Sequence, residues 1–237
     1  MTRRRWIADE FTSGKAALTG AHAAHLARTL RAQVGQQFDV TCGSRVYRAT
    51  VTSIADERVE FTLGEEIAEH AQAVPITLLL AVFKFDRMEW AIEKCTELNA
   101  TSIVPVIARR TEKHLAQAAE KRVERWRRIA HEAAQQSRRV TAPEIGSLLK
   151  LADALQCNAE LKIVLAENEH GTTLSEVLRA RSDVTSVALA VGPEGGWTAE
   201  ELQAFADAGW ISASLGETIL RAETAAIAAV AIARAEL

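Results

Sequence analysis

The sequence has few cysteines and lacks the motifs that hold a structural metal. Among its 237 residues, Cys42, Cys95 and Cys157 lie far apart, with no C-x-x-C pair and no histidine at ligand spacing. A disulfide framework or a zinc site is therefore not expected, and buried free thiols in a reducing compartment are predicted. His131-Glu132 lacks the second histidine of an H-E-x-x-H motif, so we expect no bound metal.

Long apolar stretches are also absent. The longest, around residues 74–83 and 224–233, are too short to cross a membrane. The basic start at residues 1–6 is not followed by the apolar run of a signal peptide. The composition, 48% hydrophobic and 25% charged, is typical of a soluble globular protein. We therefore expect a cytoplasmic protein with no membrane partner.

Positive and negative charges nearly balance over the whole chain, but they are unevenly distributed along it. The net charge is −3, yet residues 1–50 contain eight Lys/Arg against three Asp/Glu, and residues 109–139 contain ten against four. Residues 140–237 contain six against fourteen. Two basic segments on an acidic chain favour a localised surface for nucleic-acid phosphates. The alternative is that these Lys and Arg side chains are simply solvated on the polar faces of amphipathic helices.

Residues 1–72 differ in pattern from the rest of the chain. A short helix is predicted over 19–32, and three short β segments follow, at 38–41, 46–54 and 59–63. The pattern by itself predicts a small β domain with a basic start. Trp6 is expected to anchor the core of this domain, with stacking on an RNA base as the alternative.

Residues 73–237 alternate between strand and helix patterns. Apolar runs predict buried strands at 76–83, 101–107, 161–166, 186–191 and 210–215. Apolar spacing and end signals predict helices at 84–99, 121–139, 151–155, 198–208 and 221–237. This alternation predicts an α/β domain with a parallel sheet covered on both faces.

Two stretches near the C-terminus carry the functional signal. Gly192-Pro-Glu-Gly-Gly196 follows a predicted strand, and Thr198 with Glu201 has the spacing of a capping box that starts a helix. Residues 214–225 repeat the order of strand, glycine turn and helix. Ligands bind beyond the carboxyl ends of strands in such sheets, so the two loops predict a site for an adenosine-sized ligand. Neither G-x-G-x-x-G nor G-x-x-x-x-G-K-[ST] is present, and for the pentapeptide alone an ordinary turn is the alternative.

Taken together, Gly192-Pro-Glu-Gly-Gly196 and Leu215-Gly-x-x-Ile-Leu-Arg-x-Glu-Thr-Ala225 resemble the motifs of RsmE-type ribosomal RNA small-subunit uridine-N3 methyltransferases. These enzymes belong to the SPOUT class, which uses S-adenosylmethionine (SAM) as the methyl donor. The resemblance covers nearly the whole chain, including the central pattern Lys84…Arg87-Met-Glu89…Lys94…Glu97-Leu98. It implies methylation of N3 of a specific uridine in the 16S ribosomal RNA of the small subunit.

The resemblance also implies an architecture. Residues 1–72 would form a PUA-like β-barrel that binds RNA, and residues 73–237 a SAM-binding methyltransferase domain. The C-terminal segment of the second domain would thread through a loop to form a trefoil knot, which no periodicity in the sequence indicates. Members of the family are homodimers, and the alanine-rich helix at 221–235 would suit close packing at their interface.

The implied cofactor site consists of three loops that each follow a strand and hold SAM mainly through backbone groups. By resemblance its residues are Ala166, Glu167, Val191, Gly192, Pro193, Glu194, Gly195, Gly196, Leu215, Gly216, Ile219, Leu220 and Thr224. Glycine lets a ligand approach the main chain closely, which agrees with this assignment. Methyl transfer is an in-line displacement that depends on positioning more than on a strong acid or a metal.

The uracil N3 carries a proton that must leave on or before attack, and arginine can favour the resulting anion. By resemblance the catalytic candidate is Arg139. Arg221 is a second candidate, which with Glu223 would brace the second loop or line the substrate entrance; a plain salt bridge between the two at the helix N-terminus is the alternative. Similar chains often have Glu and Gly where this one has Gln135 and Arg138, so either Arg138 or Arg139 would face the pocket. The expected RNA contacts are Arg3, Arg4, Arg5, Arg28, Lys84, Arg110 and Arg138, with solvated surface positions as the alternative.

Two other functions stay open on the sequence. One is a SPOUT methyltransferase that acts on another RNA nucleotide. The other is a non-catalytic assembly factor, which would bind RNA through residues 1–70 without binding SAM. The intact glycine loops argue against the assembly factor.

Overall fold

The computed structural model describes residues 5–55, 57–67, 73–181 and 183–237. The chain divides into two compact units, Met1–Ala71 with Ala134–Ala142 and Gln72–Ala133 with Pro143–Leu237. We call them the N-terminal unit and the α/β unit. Nothing in the sequence pattern indicated that residues 134–142 group with the N-terminal residues.

The N-terminal unit is built on a six-stranded sheet. Its strands are β1 Arg5–Ile7, β2 Glu10–Thr12, β3 Lys15–Thr19, β4 Gln37–Cys42, β5 Arg45–Ala55 and β6 Arg58–Ile67. They pair in the order β1-β4-β5-β6-β3-β2, and all pairs except the parallel β1–β4 pair are antiparallel. Between β3 and β4, helix α1 at Gly20–Ala24 continues as a π-helical turn at His25–Thr29.

The predicted β segments are confirmed as β4, β5 and β6, whereas the three earlier strands were missed. Strand β3 is Lys-Ala-Ala-Leu-Thr, whose residues mostly favour a helix, and only its pairing with β6 makes it a strand. Trp6 is 1% exposed and lies in one apolar cluster with Leu18, Leu26 and Phe61. Its interpretation as a core anchor is confirmed.

The α/β unit contains a seven-stranded sheet in which every pair is parallel. Its strands are β7 Ile76–Ala81, β8 Ser102–Ile107, β9 Glu144–Ile145, β10 Leu149–Lys150, β11 Leu161–Leu165, β12 Val187–Val191 and β13 Ile211–Ala213. The order is β10-β8-β7-β12-β11-β13, and β9 also pairs with β8. The predicted α/β fold with a parallel sheet is confirmed.

Helices cover both faces of this sheet. They are α2 Phe85–Glu97, α3 Lys113–Ala119, α4 Val123–Gln136, α5 Leu151–Ala154, α6 Leu174–Arg179, α7 Ala199–Asp207 and α8 Ala222–Glu236, with a 3₁₀ turn at Glu120–Arg122. In β7, Leu78 and Leu80 pack into the cluster that contains α2, α4, α6 and α8 residues, while Leu79 and Ala81 pack into the cluster that contains α5 and α7 residues. Burial on both faces explains why this strand is apolar at every position except Thr77.

Three helices of the chain end in the same hydrogen-bonded motif. After α2, α4 and α7, the residues Asn99, Arg138 and Gly209 adopt φ values of 66°, 60° and 77°. In each case the next residue donates its N–H to the carbonyl five residues earlier, as Arg139 does to the Ala134 carbonyl at 2.9 Å. This is the Schellman motif, in which glycine normally occupies the left-handed position. Arg138 therefore keeps the backbone that glycine would have, at a steric cost.

We expect Arg138→Gly to stabilise the protein by about 0.5–1 kcal/mol, because it removes left-handed strain that outweighs the entropy of an added glycine. The carbonyl of residue 138 would still accept from the Arg5 guanidinium, which now lies 2.6 Å away. Denaturant unfolding measures the change. Asn99→Gly is the matched control and should change stability less, because asparagine tolerates this conformation. A loss of stability in Arg138→Gly would contradict the prediction.

All three cysteines are free thiols. Cys42 and Cys95 are buried and Cys157 is half-buried. Burial raises the pKa of the Cys95 thiol to about 12 and that of Cys42 to about 11, so these thiols are poor nucleophiles at neutral pH.

In the described residues, His, Cys, Asp and Glu side chains form no group of three that could hold a metal ion. None of the helices that the structure describes is both long and apolar enough to span a bilayer.

Candidate ligand site at the carboxyl edge of the sheet

Three loops meet at the carboxyl ends of the neighbouring strands β12, β11 and β13. They enclose a cavity of about 940 Å³ within the α/β unit. Of the predicted cofactor residues, those that line it are Ala166, Glu167, Val191, Gly192, Pro193, Glu194, Gly196, Leu215, Gly216, Ile219 and Leu220. Gly195 and Thr224 lie in the same segments but are not part of the lining. The strand order brings these loops together, since parallel strands place their carboxyl ends at one edge.

The loop after β12 is a tight turn whose shape depends on glycine. Gly196 has φ +67° and donates its N–H to the Pro193 carbonyl at 2.8 Å. A Cβ on Gly192 would lie 3.3 Å from Nε1 of Trp197, so this side of the turn has no room for a side chain. The Trp197 Nε1–H is buried and has no hydrogen-bond partner within the described residues. The turn thus exposes main-chain atoms without side chains to the cavity, and the Trp197 Nε1–H beside it is a hydrogen-bond donor without an acceptor among the described residues.

Arg110 holds this turn in place through its guanidinium. Its Nη1 donates to the Gly195 carbonyl at 2.6 Å and lies 3.4 Å from the Trp197 carbonyl. A Cβ on Gly195 would lie 3.2 Å from Cδ of Arg110, so the arginine chain lies directly against the glycine. A guanidinium that donates to a carbonyl at this distance holds the loop with a strong, charge-assisted bond.

Glu201 ties the start of α7 to the end of β8. The predicted capping box is confirmed: the Thr198 side chain accepts from the Glu201 N–H, and the Glu201 carboxylate accepts from the Thr198 N–H at 2.9 Å. Glu201 is only 5% exposed, and its other oxygen accepts from the Arg109 backbone N–H at 2.7 Å. One buried carboxylate therefore fixes the helix start and the segment that carries Arg110.

The loop after β13 is held at its beginning and leads into α8. Ser214 donates its N–H to the Thr172 carbonyl and accepts from the Leu174 N–H, both at 2.9 Å. Gly216 then takes φ +118°, which side-chain-bearing residues rarely adopt. Ile219 is 78% exposed, although it lines the cavity. An exposed isoleucine at a cavity mouth is a natural contact for an apolar or aromatic ligand group.

Cations and carboxylates both line the cavity. Arg87 from the first turn of α2 and Arg221 from the N-cap of α8 join Arg110 there. The proposed salt bridge between Arg221 and Glu223 is not formed in the described structure. Glu223 instead pairs with Arg87, with 3.8 Å between Oε1 and Nε.

Sequence reasoning missed several polar residues of the cavity. Arg87, Asn168, His170, Glu217 and Thr218 all contribute to the lining. Glu217 and Thr218 lie inside the second motif, at residues 214–225, so naming that whole stretch would have included them. Asn168 and His170 follow Ala166 and Glu167 in the loop after β11, of which the resemblance named only those two residues. Arg87 belongs to the central pattern at residues 84–98, but the sequence alone does not place that pattern near the glycine loops.

The other predicted site residues lie elsewhere. Lys84 is exposed at the N-cap of α2, where its backbone N–H is 3.4 Å from a Glu194 carboxylate oxygen. Arg138 and Arg139 belong to the N-terminal unit, as do Arg5 and the exposed Arg28. Arg3 and Arg4 lie outside the described residues.

The fold and cavity define an α/β protein whose ligand site is made largely of main-chain loops. A model of the family described as "RNA methyltransferase domain" matches residues 70–234. The chain is 34% identical to ribosomal RNA small subunit methyltransferase E of Rickettsia conorii, over 94% of this chain and 90% of that protein. It is 33% identical to the protein of the same name from Synechocystis, over 94% of this chain and 74% of that protein.

A solved structure is similar over nearly its whole length. It is the crystal structure of a ribosomal RNA small subunit methyltransferase E from Neisseria gonorrhoeae bound to S-adenosyl methionine. The TM-score is 0.86 and the identity 30%, with 97% of this chain and 95% of that chain covered. The chain therefore belongs to the RNA methyltransferase family and, within it, to the ribosomal RNA small subunit methyltransferases E. The resemblance read from the glycine motifs is confirmed.

Proposed function

We propose that this protein transfers the methyl group of SAM to N3 of a uridine in the 16S ribosomal RNA of the small subunit. The observation that carries the proposal is the cavity built by the main chain of three loops, in a chain whose similar solved structure contains SAM. The choice of uridine N3 rests on the resemblance of the two glycine motifs. The reaction makes the protein a SAM-dependent methyltransferase.

The residues of the cavity fit SAM as a ligand. Gly192 and Gly196 leave the main chain bare where an adenosine would approach, and the buried Trp197 Nε1–H is a donor in need of an acceptor. Glu167 and Glu194 add carboxylates to the lining, which suit the cationic sulfonium and amine of the ligand. When bound, SAM supplies an electrophilic methyl group, and the loops fix its direction.

Basic side chains on each unit are proposed to contact RNA. We retain Arg3, Arg4, Arg5, Arg28, Lys84, Arg110 and Arg138 as RNA contacts, and Arg139 and Arg221 as the catalytic candidates. Arg221 has the clearest support, because it lines the cavity beside the second glycine loop. The guanidinium of such a residue can stabilise negative charge on the uracil oxygens.

We also propose that the N-terminal unit is a PUA-like barrel. The chain between β1 and β2 supports this, because it bonds to strands on both sides. Ala8 donates to the Thr41 carbonyl of β4 at 2.9 Å, and Asp9 donates to the Ala17 carbonyl of β3 at 3.0 Å. The two ends of the strand order are thus joined by one short segment, as closing a sheet into a barrel requires.

A trefoil knot in the α/β unit is part of the same proposal. Both ends of the loop at 166–174 are hydrogen-bonded to the end of β13: Ala166 donates to the Ala213 carbonyl at 3.1 Å, and Ser214 bonds to Thr172 and Leu174. The chain then runs on to α8, which packs against α2 and α6. A C-terminal segment held against a closed loop supports threading, and an experimental structure traced through residues 166–221 tests it.

The proposed assembly is a cytoplasmic homodimer. The support is that Ile227 and Ile232 of α8 pack against the core but are only half-buried, while Ala226, Ala229 and Val230 are fully buried. Small and aliphatic residues on a helix suit close packing against a second helix. Sedimentation velocity of the purified chain distinguishes a monomer from a dimer.

The reaction is tested by tritium transfer from labelled SAM to small ribosomal subunits from cells that lack this gene. Label in 3-methyluridine after nucleoside analysis is the expected result. Label in another nucleoside would retain the enzyme but contradict the uridine target. No transfer, together with no SAM binding by calorimetry, would leave an RNA-binding assembly factor and overturn the proposal.

A further inference from the structure

Glu223 is a buried carboxylate whose burial few hydrogen bonds offset. It is 4% exposed, and its Oε2 is buried without a hydrogen-bond partner in the parts of the chain that are described. Burying a charge is costly unless the charge is paired and hydrogen-bonded. As the second residue of the 15-residue helix α8, it gains from the positive end of the helix dipole. Glu223 forms an ion pair with Arg87.

Arg87 is the cavity cation that this carboxylate orients. Its side chain is 32% exposed and lines the cavity, while its Nε faces Glu223 at 3.8 Å. Its two terminal nitrogens make no hydrogen bond within the described residues, so their donors can bind a ligand. Arg110 differs, because its guanidinium is already bound to the Gly195 carbonyl. Arg221 differs too, because it is exposed and forms no ion pair among the described residues.

We propose that Arg87 binds the carbonyl oxygens of the target uracil and stabilises its N3-deprotonated anion, and that Glu223 is the positioning residue for Arg87. This rests on the proposed function and adds a catalytic residue to it. An arginine oriented in advance by a buried carboxylate needs no reorganisation as negative charge develops, which is the condition for large electrostatic stabilisation.

The reaction balances without any further reagent. The uracil loses its N3 proton to solvent, and the electron pair left on N3 forms the new N–CH₃ bond. The S–CH₃ bond breaks with its electrons remaining on sulfur, which yields neutral-sulfur S-adenosylhomocysteine. During attack the negative charge is shared by the two uracil carbonyl oxygens, where the free N–H groups of Arg87 can donate to them.

Arg87→Ala should lower kcat for RNA methylation by about 100-fold, the usual loss when one charge-stabilising donor is removed. SAM affinity by calorimetry should stay within about twofold, and the KM for RNA should change little, because the lost interaction forms mainly in the transition state. Arg87→Lys should recover part of the rate, since it keeps the charge but not the two-pronged geometry.

The stabilisation of the uracil anion by Arg87 is tested with a nucleobase whose N3 proton is more acidic. Small subunits reconstituted on transcripts containing 5-fluorouridine present an N3 that loses its proton more readily. The rate ratio of 5-fluorouridine to uridine substrates should be at least about tenfold larger for Arg87→Ala than for the wild type, because the variant depends on the base's own acidity. An unchanged ratio would overturn the role in anion stabilisation.

The positioning role of Glu223 is tested separately. Glu223→Gln should lower kcat about tenfold, and the double variant with Arg87→Ala should be no slower than Arg87→Ala alone, because both changes remove one interaction. Glu236→Gln and Arg179→Ala are matched controls, since these residues form an ion pair at the other end of α8 and do not line the cavity. Both should leave kcat unchanged. Additive losses in the double variant would contradict the coupling.

The outcomes separate this inference from the function on which it rests. If the wild-type protein transfers no methyl group to RNA, the proposed function fails. If the wild type is active and Arg87→Ala is equally active, only the role of Arg87 fails. A loss of SAM binding in Arg87→Ala with an unchanged melting temperature would make Arg87 a cofactor contact and overturn the proposal.

Discussion

Replacing Gly196 by valine should reduce SAM affinity by about 100-fold, equivalent to about 2.7 kcal/mol. Gly196 has φ +67°, which a β-branched side chain adopts only under strain of about 1–3 kcal/mol. A Cβ there would also lie 3.5 Å from the Glu167 carboxylate, so the added methyl groups would enter the lining of the cavity. Isothermal calorimetry with SAM measures the loss.

Gly209→Val is the matched control for this prediction. Gly209 has φ +77°, and a Cβ there would meet no atom within 4 Å. It ends α7 and does not line the cavity, so the variant should lose stability but keep its SAM affinity. Equal SAM affinities for the two variants would show that the turn after β12 does not contact the cofactor.

Arg110→Ala should raise the Kd for SAM by about 30-fold, corresponding to about 2 kcal/mol for a charged hydrogen bond. The arginine holds the Gly195 carbonyl at 2.6 Å, and without it the glycine turn would lose the bond that fixes its shape. Lysine at this position should recover part of the affinity, because it can donate to one carbonyl. Calorimetry with SAM again provides the measurement.

The neighbouring Arg109 is the control for Arg110. Its backbone N–H bonds to Glu201, and alanine would keep that bond. Arg109→Ala should therefore leave SAM binding unchanged. The RNA contact proposed for Arg110 predicts a second effect, namely weaker RNA binding with a salt dependence reduced by about one ion. An unchanged SAM affinity with weaker RNA binding would leave Arg110 as an RNA contact only and contradict its role as a brace of the loop.

Local signals predicted the elements that flank the site with good accuracy. Thr198 and Glu201 set the start of α7, and Gly209 its end, because capping depends on residues within one turn of the helix. Helix α6 has the same capping box, formed by Thr173 and Glu176, yet it was missed because only six helical residues follow. Short strands such as β10, with two residues, are defined only by their pairing partners.

The arrangement of charges was decided in three dimensions. Glu223 and Arg221 are neighbours in sequence, which suggested a local salt bridge, but Glu223 is buried against Arg87 from α2. Arg87 and Glu223 are far apart in the chain, and they meet because α2 and α8 pack together. Arg110 likewise reaches the Gly195 carbonyl only because β8 and β12 lie in one sheet.

The sequence by itself determined the parallel α/β fold, the two glycine turns and the family, because apolar periodicity, capping and glycine positions are local properties. Only the tertiary structure decided which side chains share the cavity, which cation the buried Glu223 faces, and that Arg138 keeps a glycine-like backbone after α4. The physical reason is that ion pairs and cavities join residues distant in the chain, whose meeting depends on strand order and helix packing.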